Sequence, residues 1–151
     1  MNFTIRTATL ADADKITALF NDYRVFYAQA SDMQLAHEFI TQRLKNNESV
    51  VFYAEDGQGK ALGFTELYPS FSSVSAQRCW ILNDLFVSAK ARRLGVAKQL
   101  MEAAKQFATD SQAKSINLET SADNLHAQAL YESLGYEKIN GVHFYSLNLK
   151  S

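Results

Sequence analysis

The 151-residue chain is poor in residues that staple, break or charge a fold: one cysteine, one proline, six glycines and a net charge of −1. Cys79 has no partner for an internal disulfide, which fits a reducing compartment, and its apolar neighbours mark it as inert packing. A charge so near zero argues against a general nucleic-acid binder. No apolar run is long enough for a membrane span, and "MNFTIRTATLADADK" lacks the apolar core of a secretory signal, so a cytoplasmic protein is expected. His37, His126 and His143 are scattered without metal-ligand spacing, and no metal is expected. Familiar ligand motifs are missing too. No G-x-x-x-x-G-K-[ST] occurs, "GQGKALG" does not fit G-x-G-x-x-G, and there is no G-x-S-x-G.

What remains is an ordinary globular composition, 47% hydrophobic and 21% charged, read as one domain over 1–151. No repeat, low-complexity tract or extended linker interrupts it, and "EDGQGK" and "PSFSSVSAQ" are loop-sized breaks. "FTIRTA" reads as a first strand. "TLAD" offers Thr9 as an N-cap with Asp12 three residues on, a capping-box variant. Ile16, Leu19, Phe20 and Tyr23 recur at helical spacing and predict a first helix to about Tyr27. Ala36, Phe39, Ile40 and Leu44 predict a second. "SVVFYAE", the turn "DGQG" and "ALGFTELY" form a strand–turn–strand unit, and "CWILNDLFV" is a long buried-strand candidate. Val96, Ala97, Leu100, Met101, Ala104, Phe107 and Ala108 make the apolar stripe of a third helix. "SINLET" reads as a strand, "NLHAQALYESLG" as a fourth helix stopped by Gly135, and "VHFYSLNL" as a final strand. This order predicts a mixed α/β fold with a central sheet and helices on its faces.

The stretch "VSAKARRLGVAKQLMEAAKQFA", Val87 to Ala108, passes from strand end to amphipathic helix through two arginines and one glycine. A helix N-terminus presents unpaired N–H groups and partial positive charge, which suits an anion. Arg92-x-x-Gly95-x-Ala97 lets the backbone come close to such a ligand, because Gly95 and Ala97 keep the surface small. The plain alternative is a strand–helix turn carrying two solvated arginines, and local spacing does not separate the two.

The stretch "LNDLFVSAKARRLGVAKQLM" resembles the acetyl-coenzyme A signature of the GNAT N-acetyltransferase superfamily. "NLHAQALYESLGYEK" resembles that family's next conserved segment, and the element order matches across nearly the whole chain. The resemblance implies a GNAT fold, with a central mixed, mostly antiparallel twisted sheet flanked by about four helices. It also implies acetyl-coenzyme A as co-substrate. The backbone N–H groups of Arg93, Leu94, Gly95, Val96, Ala97 and Lys98 would receive the pyrophosphate, with the Arg92 cation beside it. Leu85, Phe86 and Val87 would hold the pantetheine arm by strand-like pairing. Asn124 matches a polar position that contacts the cofactor, and Tyr131, seven residues on and on nearly the same helical face, matches the usual general acid. The plain alternative for Tyr131 is an aromatic of the helix–sheet interface.

Acyl transfer to an amine needs a base, and the candidates on expected strands are Asp84, Glu119 and Glu66. Asp84 is the first choice because it directly precedes the thioester-holding segment. For Glu66 and Glu119 a structural role is the better expectation, and a water chain is a further possibility. "WILNDLFV" is similar to the equivalent strand of diamine and thialysine acetyltransferases, except that Asn83 replaces the first acid of a pair. The aromatic-rich "FNDYRVFYAQASD", with Tyr23, Arg24, Phe26 and Tyr27, is the candidate wall of an acceptor pocket. Its plain alternative is core packing with a dimer contact. The resemblance thus implies acetyl transfer to a primary amine of a small molecule, without nucleic acid or membrane partners, in a homodimer. A protein terminus or lysine as acceptor, or a non-catalytic acetyl-coenzyme A sensor, are the alternatives.

Overall fold

The computed structural model describes residues 2–150. They form two compact units, one ending at Glu119 and one beginning at Thr120.

In the first unit, strand β1 (Phe3–Thr7) leads into a 3₁₀ turn (Leu10–Asp12) and helix α1 (Ala13–Phe26). The expected capping box is present: the Thr9 N–H donates to Asp12 Oδ2 at 2.8 Å, closing the chain entry to the helix. Helix α2 (Met33–Lys45) starts at Asp32, whose side chain accepts from the Leu35 N–H at 3.0 Å. Such a cap stabilises a helix by about 1 kcal/mol. Strands β2 (Val50–Asp56), β3 (Ala61–Ser72) and β4 (Gln77–Val87) follow as an antiparallel meander, then α3 (Val96–Asp110) and the two-residue strand β5 (Ile116–Asn117). The sheet order is β1-β2-β3-β4-β5, antiparallel except for the parallel β4–β5 pair. This is the α/β arrangement expected, with a mixed and mostly antiparallel sheet.

Alternation along the strands divides the core between two faces. Val51, Tyr53 and Phe64 pack with Ile16, Leu19, Phe20, Ala36 and Ile40 of α1 and α2. Their neighbours of opposite parity face α3: Phe52 and Trp80 bring their rings 5.7 and 5.0 Å from that of Phe107. Leu100, Met101 and Ala104 complete that side, each almost wholly buried. Burying a large apolar side chain of this kind is worth roughly 1.5–3 kcal/mol.

Three expectations need correction. "PSFSSVSAQ" is not a loop throughout, because β3 runs to Ser72 and turns into Gln77. Pro69 is tolerated inside β3 because β2 stops pairing at Leu67, leaving only β4 beside it, so its missing N–H breaks no ladder. "SINLET" is strand only at Ile116–Asn117. The final strand does not form, since 142–150 carry no regular structure and Phe144, Tyr145, Leu147 and Leu149 are exposed. An alternating apolar pattern becomes a strand only with a ladder partner, and the described residues give this one none.

The second unit contains α4 (Leu125–Ser133), which ends just before Gly135 as expected. The side chain of Asn124 is its cap, accepting from the Ala127 N–H at 3.1 Å.

Candidate active site

The start of α3 has the backbone geometry that suits an anion. Arg93 and Gly95 take positive φ, 65° and 82°, on either side of Leu94. Glycine adopts this conformation freely, whereas arginine does so at a cost of order 1 kcal/mol, and such strain gathers at functional loops. Alternating handedness turns successive amides toward a common concavity. The helical ladder opens with the Gln99 N–H donating to the Gly95 carbonyl at 3.1 Å, so the amides of Val96, Ala97 and Lys98 precede it. Arg92 reaches back with Nε donating to the Val87 carbonyl at 3.3 Å, tying the loop to the strand end. Its side chain is exposed, as are Arg93, Leu94 and Lys98.

Strand β4 opens an edge directly before this loop. Its pairing with β5 covers only Trp80 and Ile81 among the described residues. The Ser88 N–H donates to the Leu62 carbonyl of β3 at 2.8 Å. By alternation Phe86 also turns its backbone toward β3, while Leu85 and Val87 turn theirs to the open edge. Those are the two backbones the sequence assigns to a peptide-like ligand arm. Gly63 on β3 keeps strand end and helix start together: a Cβ there would lie 2.9 Å from the Phe86 carbonyl oxygen and 3.2 Å from Val96 Cγ1.

Behind the open edge lies a buried acid pair. Glu66 and Asp84 are ladder partners, with exposures of 0% and 5%. They face each other because of a bulge. Glu66 pairs with Asp84 but Leu67 pairs with Leu82, so Asn83 is an extra residue. Were Asn83 held in the ladder opposite Glu66, Asp84 would share the face of Trp80 and Leu82 against α3. With Asn83 bulged out, Asp84 takes the place opposite Glu66, on the face of Phe64 and Phe86, beneath the end of α1. Asn83 Nδ2 donates to Asp84 Oδ1 at 3.1 Å, and Thr65 Oγ1 donates to the Asp84 carbonyl at 2.8 Å. Asp84 Oδ2 and both Glu66 oxygens are buried without a hydrogen-bond partner among the described residues.

Burial, and then the neighbouring Asp84, push the Glu66 carboxyl up to about 8. The hydroxyls of Ser49 and Tyr68, beside the carboxyl and able to donate to its ionised form, pull the other way. The Tyr23 phenol is raised far above its ordinary value by burial and then by Asp84, and the Tyr68 phenol by burial and then by Glu66. Tyr23 belongs to an aromatic chain in which its ring lies 5.7 Å from Phe64, 6.0 Å from Phe86 and 5.0 Å from Tyr27. Phe26 continues it, 6.1 Å from Phe86. Phe26 and Tyr27 are 62% and 58% exposed, so the chain of rings runs from beside the acids out to solvent.

Comparison with known proteins agrees with this geometry. The model of the acetyltransferase (GNAT) family matches residues 14–136. The chain belongs to that family. The uncharacterized N-acetyltransferase YhfO of Bacillus subtilis is 50% identical over 145 residues, 96% of this chain and 97% of its own. A probable acetyltransferase of Haemophilus influenzae is 35% identical, covering 79% and 80%. A crystal structure of a probable acetyltransferase superposes with a TM-score of 0.93 at 40% identity, across 98% of this chain and 99% of that one. The protein is an acetyl-coenzyme A-dependent acetyltransferase.

The acetyltransferase's cradle fits its co-substrate on structural grounds. Positive-φ residues at Arg93 and Gly95, amides ahead of the helical ladder and the exposed Arg92 suit a diphosphate. The open backbone at Leu85 and Val87 suits an amide-containing arm. No group of side chains among the described residues could hold a metal ion.

Arg92 to Lys98, Leu85 to Val87 and Asp84 are contiguous in one unit and converge on the end of β4. Tyr131 and Asn124 lie on the second unit, with the Tyr131 ring 6.2 Å from that of Tyr136. Glu119 is exposed beyond β5. Glu66, expected in a structural role, is placed by the structure as the buried ladder partner of Asp84. The bulge that sets this register had no signal in the sequence, since 80–82 and 85–87 are all apolar.

Proposed function

We propose that this acetyltransferase acts on the primary amine of a small molecule, with Asp84 as the base and Tyr131 as the general acid. The observation that carries the reading is the buried acid at the β4 bulge, with the rings of Tyr23, Phe26, Tyr27 and Phe86 packed between it and solvent. An aromatic surface beside an acid suits an amine on a slim or flat body, because π-faces attract a cation.

Acetyl-coenzyme A, when bound, supplies the acyl group and a thiol leaving group. The chain's own residues do the rest. Amides from Arg93 to Lys98 hold the diphosphate and Leu85 with Val87 align the arm along β4. Asp84 takes a proton from the incoming ammonium, since only the neutral amine is a nucleophile. Tyr131 is assigned on its motif, one α4 turn pair beyond Asn124. Its phenol would give a proton to the departing sulfur.

A small-molecule acceptor is supported by a more distant relative, the aminoglycoside N(6')-acetyltransferase type 1 of Stenotrophomonas maltophilia. It is 25% identical across 97% of this chain and 94% of its own. The likeness to diamine and thialysine acetyltransferases rests on Asp84 alone, because Asn83 is spent on the bulge. The deciding experiment follows coenzyme A release, with product mass, for phenethylamine, spermidine, kanamycin and a peptide with a free amino terminus. Acetylation of one or more small amines in preference to the peptide is expected. Exclusive acetylation of the peptide would move the acceptor to proteins, and cofactor binding without turnover on any acceptor would leave a sensor.

A further inference from the structure

Glu66 has no role in the reaction as derived so far, yet it occupies one of the most buried positions in the sheet. An isolated carboxylate there would cost several kcal/mol, and an apolar residue would pack at no such cost. Neutralisation by a cation is not available, since none of the ion pairs among the described residues involves Glu66 or Asp84. The titratable and charged groups that bear on the pair come from each element around it: Tyr23 and behind it Tyr27 from α1, Arg43 from α2 through Tyr68, and Tyr68 itself from β3. Ser49, just before β2, adds a hydroxyl. Three carboxyl oxygens of the pair make no well-formed hydrogen bond, although the Ser49, Tyr68 and Tyr23 hydroxyls lie beside them, and two carboxyl groups side by side satisfy one another only when a proton lies between them.

We propose that Glu66 and Asp84 hold one proton between them and act as a single acid–base unit. Glu66 is a positioning residue that strengthens Asp84 as a base and favours an acceptor arriving as a cation. The inference rests on the reading of Asp84 as the base.

The proton count is as follows. With one shared proton the pair carries one negative charge. An ammonium entering along the aromatic chain favours loss of that proton to water, leaving two negative charges beside one positive. The ammonium N–H bond then breaks and an O–H bond forms on Asp84. The acceptor goes from +1 to neutral and the pair from −2 to −1. A base of this kind has a proton affinity near working pH, where a base is most effective. A lone aspartate would be too weak a base at equal geometry.

Carbon-13 NMR of protein labelled at the glutamate and aspartate carboxyls tests this without any ligand. Glu66 and Asp84 are assigned by loss of their signals in Glu66→Gln and Asp84→Asn, and both isosteric variants are checked for wild-type thermal unfolding. In the unaltered protein the two signals should shift together in two steps, the upper near pH 8. In Asp84→Asn, Glu66 should show one step at lower pH. The acetylation profile is then read with whichever amine of the panel turns over fastest. Glu66→Gln should move the acid limb of kcat/KM to lower pH and reduce kcat at pH 8 about tenfold or more. Independent titration of both carboxyls in the ordinary acidic range overturns the shared proton. Coupled titration with an unmoved acid limb in Glu66→Gln overturns the role of Glu66 in the reaction. Full turnover in Asp84→Asn overturns Asp84 as base, and is distinguishable because the coupled NMR titration would stand.

Discussion

Replacing Gly95 by valine separates two roles that one residue performs. A Cβ at Gly95 would meet no protein atom within 4 Å, so nothing in the folded chain is crowded by it. The cost to folding is therefore conformational alone. At φ 82° an L-residue pays about 1–2 kcal/mol, and a β-branched one sits at the upper end. For a chain of this size that corresponds to a fall in Tm of roughly 2–8 °C. Ligand affinity should suffer more. The space into which the side chain projects is where a diphosphate must approach the amides. Losing two charge-assisted N–H contacts, at about 1.5–3 kcal/mol each, weakens binding by a hundredfold or more, on the order of 10²–10⁴. Gly95→Ala carries the lower end of the φ penalty with a smaller obstruction, so both its stability and its affinity should lie between valine and wild type. Calorimetric titration with acetyl-coenzyme A and thermal unfolding measure the two effects. A valine variant destabilised as expected that binds with wild-type affinity would remove the anion from this loop. One with unchanged Tm would refute the backbone argument.

Gly63→Ala drives a methyl to 2.9 Å from the Phe86 carbonyl, a backbone atom that cannot swing aside, so stability should fall by about 1–3 kcal/mol in urea unfolding. An unchanged midpoint would mean that strand and helix separate freely there. Arg92→Ala should weaken acetyl-coenzyme A binding by a factor that grows as salt is lowered, because an exposed cation is screened; equal loss at low and high salt would assign Arg92 only its tie to Val87. Tyr131→Phe should lower turnover at least tenfold, within the ~10²–10⁴ of general acid catalysis, with the amine KM changed only a few-fold. Full turnover, measured where chemistry limits the rate, would return Tyr131 to packing. Glu66 titrates higher in the folded than in the unfolded chain, so the folded state binds more protons and wild-type stability should decline as pH rises from about 4.5 toward 8. Glu66→Gln should lack that component of the slope, and an identical slope would place the proton elsewhere.

The elements most legible in the sequence were those with a strong period. The stripe of α3 and the Thr9–Asp12 box needed no tertiary information, because helix caps and amphipathic faces are local. The strand–helix junction at Arg92 and Gly95 was legible too, since the left-handed backbone at Gly95 follows from residue type. Strand limits were harder. Whether Pro69 ends β3 depends on which neighbour runs beside it, and whether 142–149 pairs at all depends on a ladder partner elsewhere in the chain. The pairing of Glu66 with Asp84 was not legible because the two are far apart in sequence and only the β3–β4 register sets them together. Arg93 gave no sign of its left-handed backbone, which only neighbouring structure imposes.

The inserted Asn83 has a consequence for anyone who would transplant this chemistry. Upstream of it, β4 obeys the packing demands of α3; downstream, the same strand carries Asp84 and the edge proposed for the co-substrate. The two halves are out of phase by one residue, so the upstream half can be resized or repacked without re-aiming Asp84. Deleting Asn83 would straighten the ladder without re-aiming the acids, because Leu82 and Asp84 would become adjacent, on opposite faces, with Leu67 and Glu66 still their partners. Drawing Asn83 into the ladder opposite Glu66 would do the reverse, sending the Asp84 carboxylate to the face of Trp80 and Leu82. A designer copying the two acids must therefore copy their cross-strand register, and the portable unit is the pair as ladder partners.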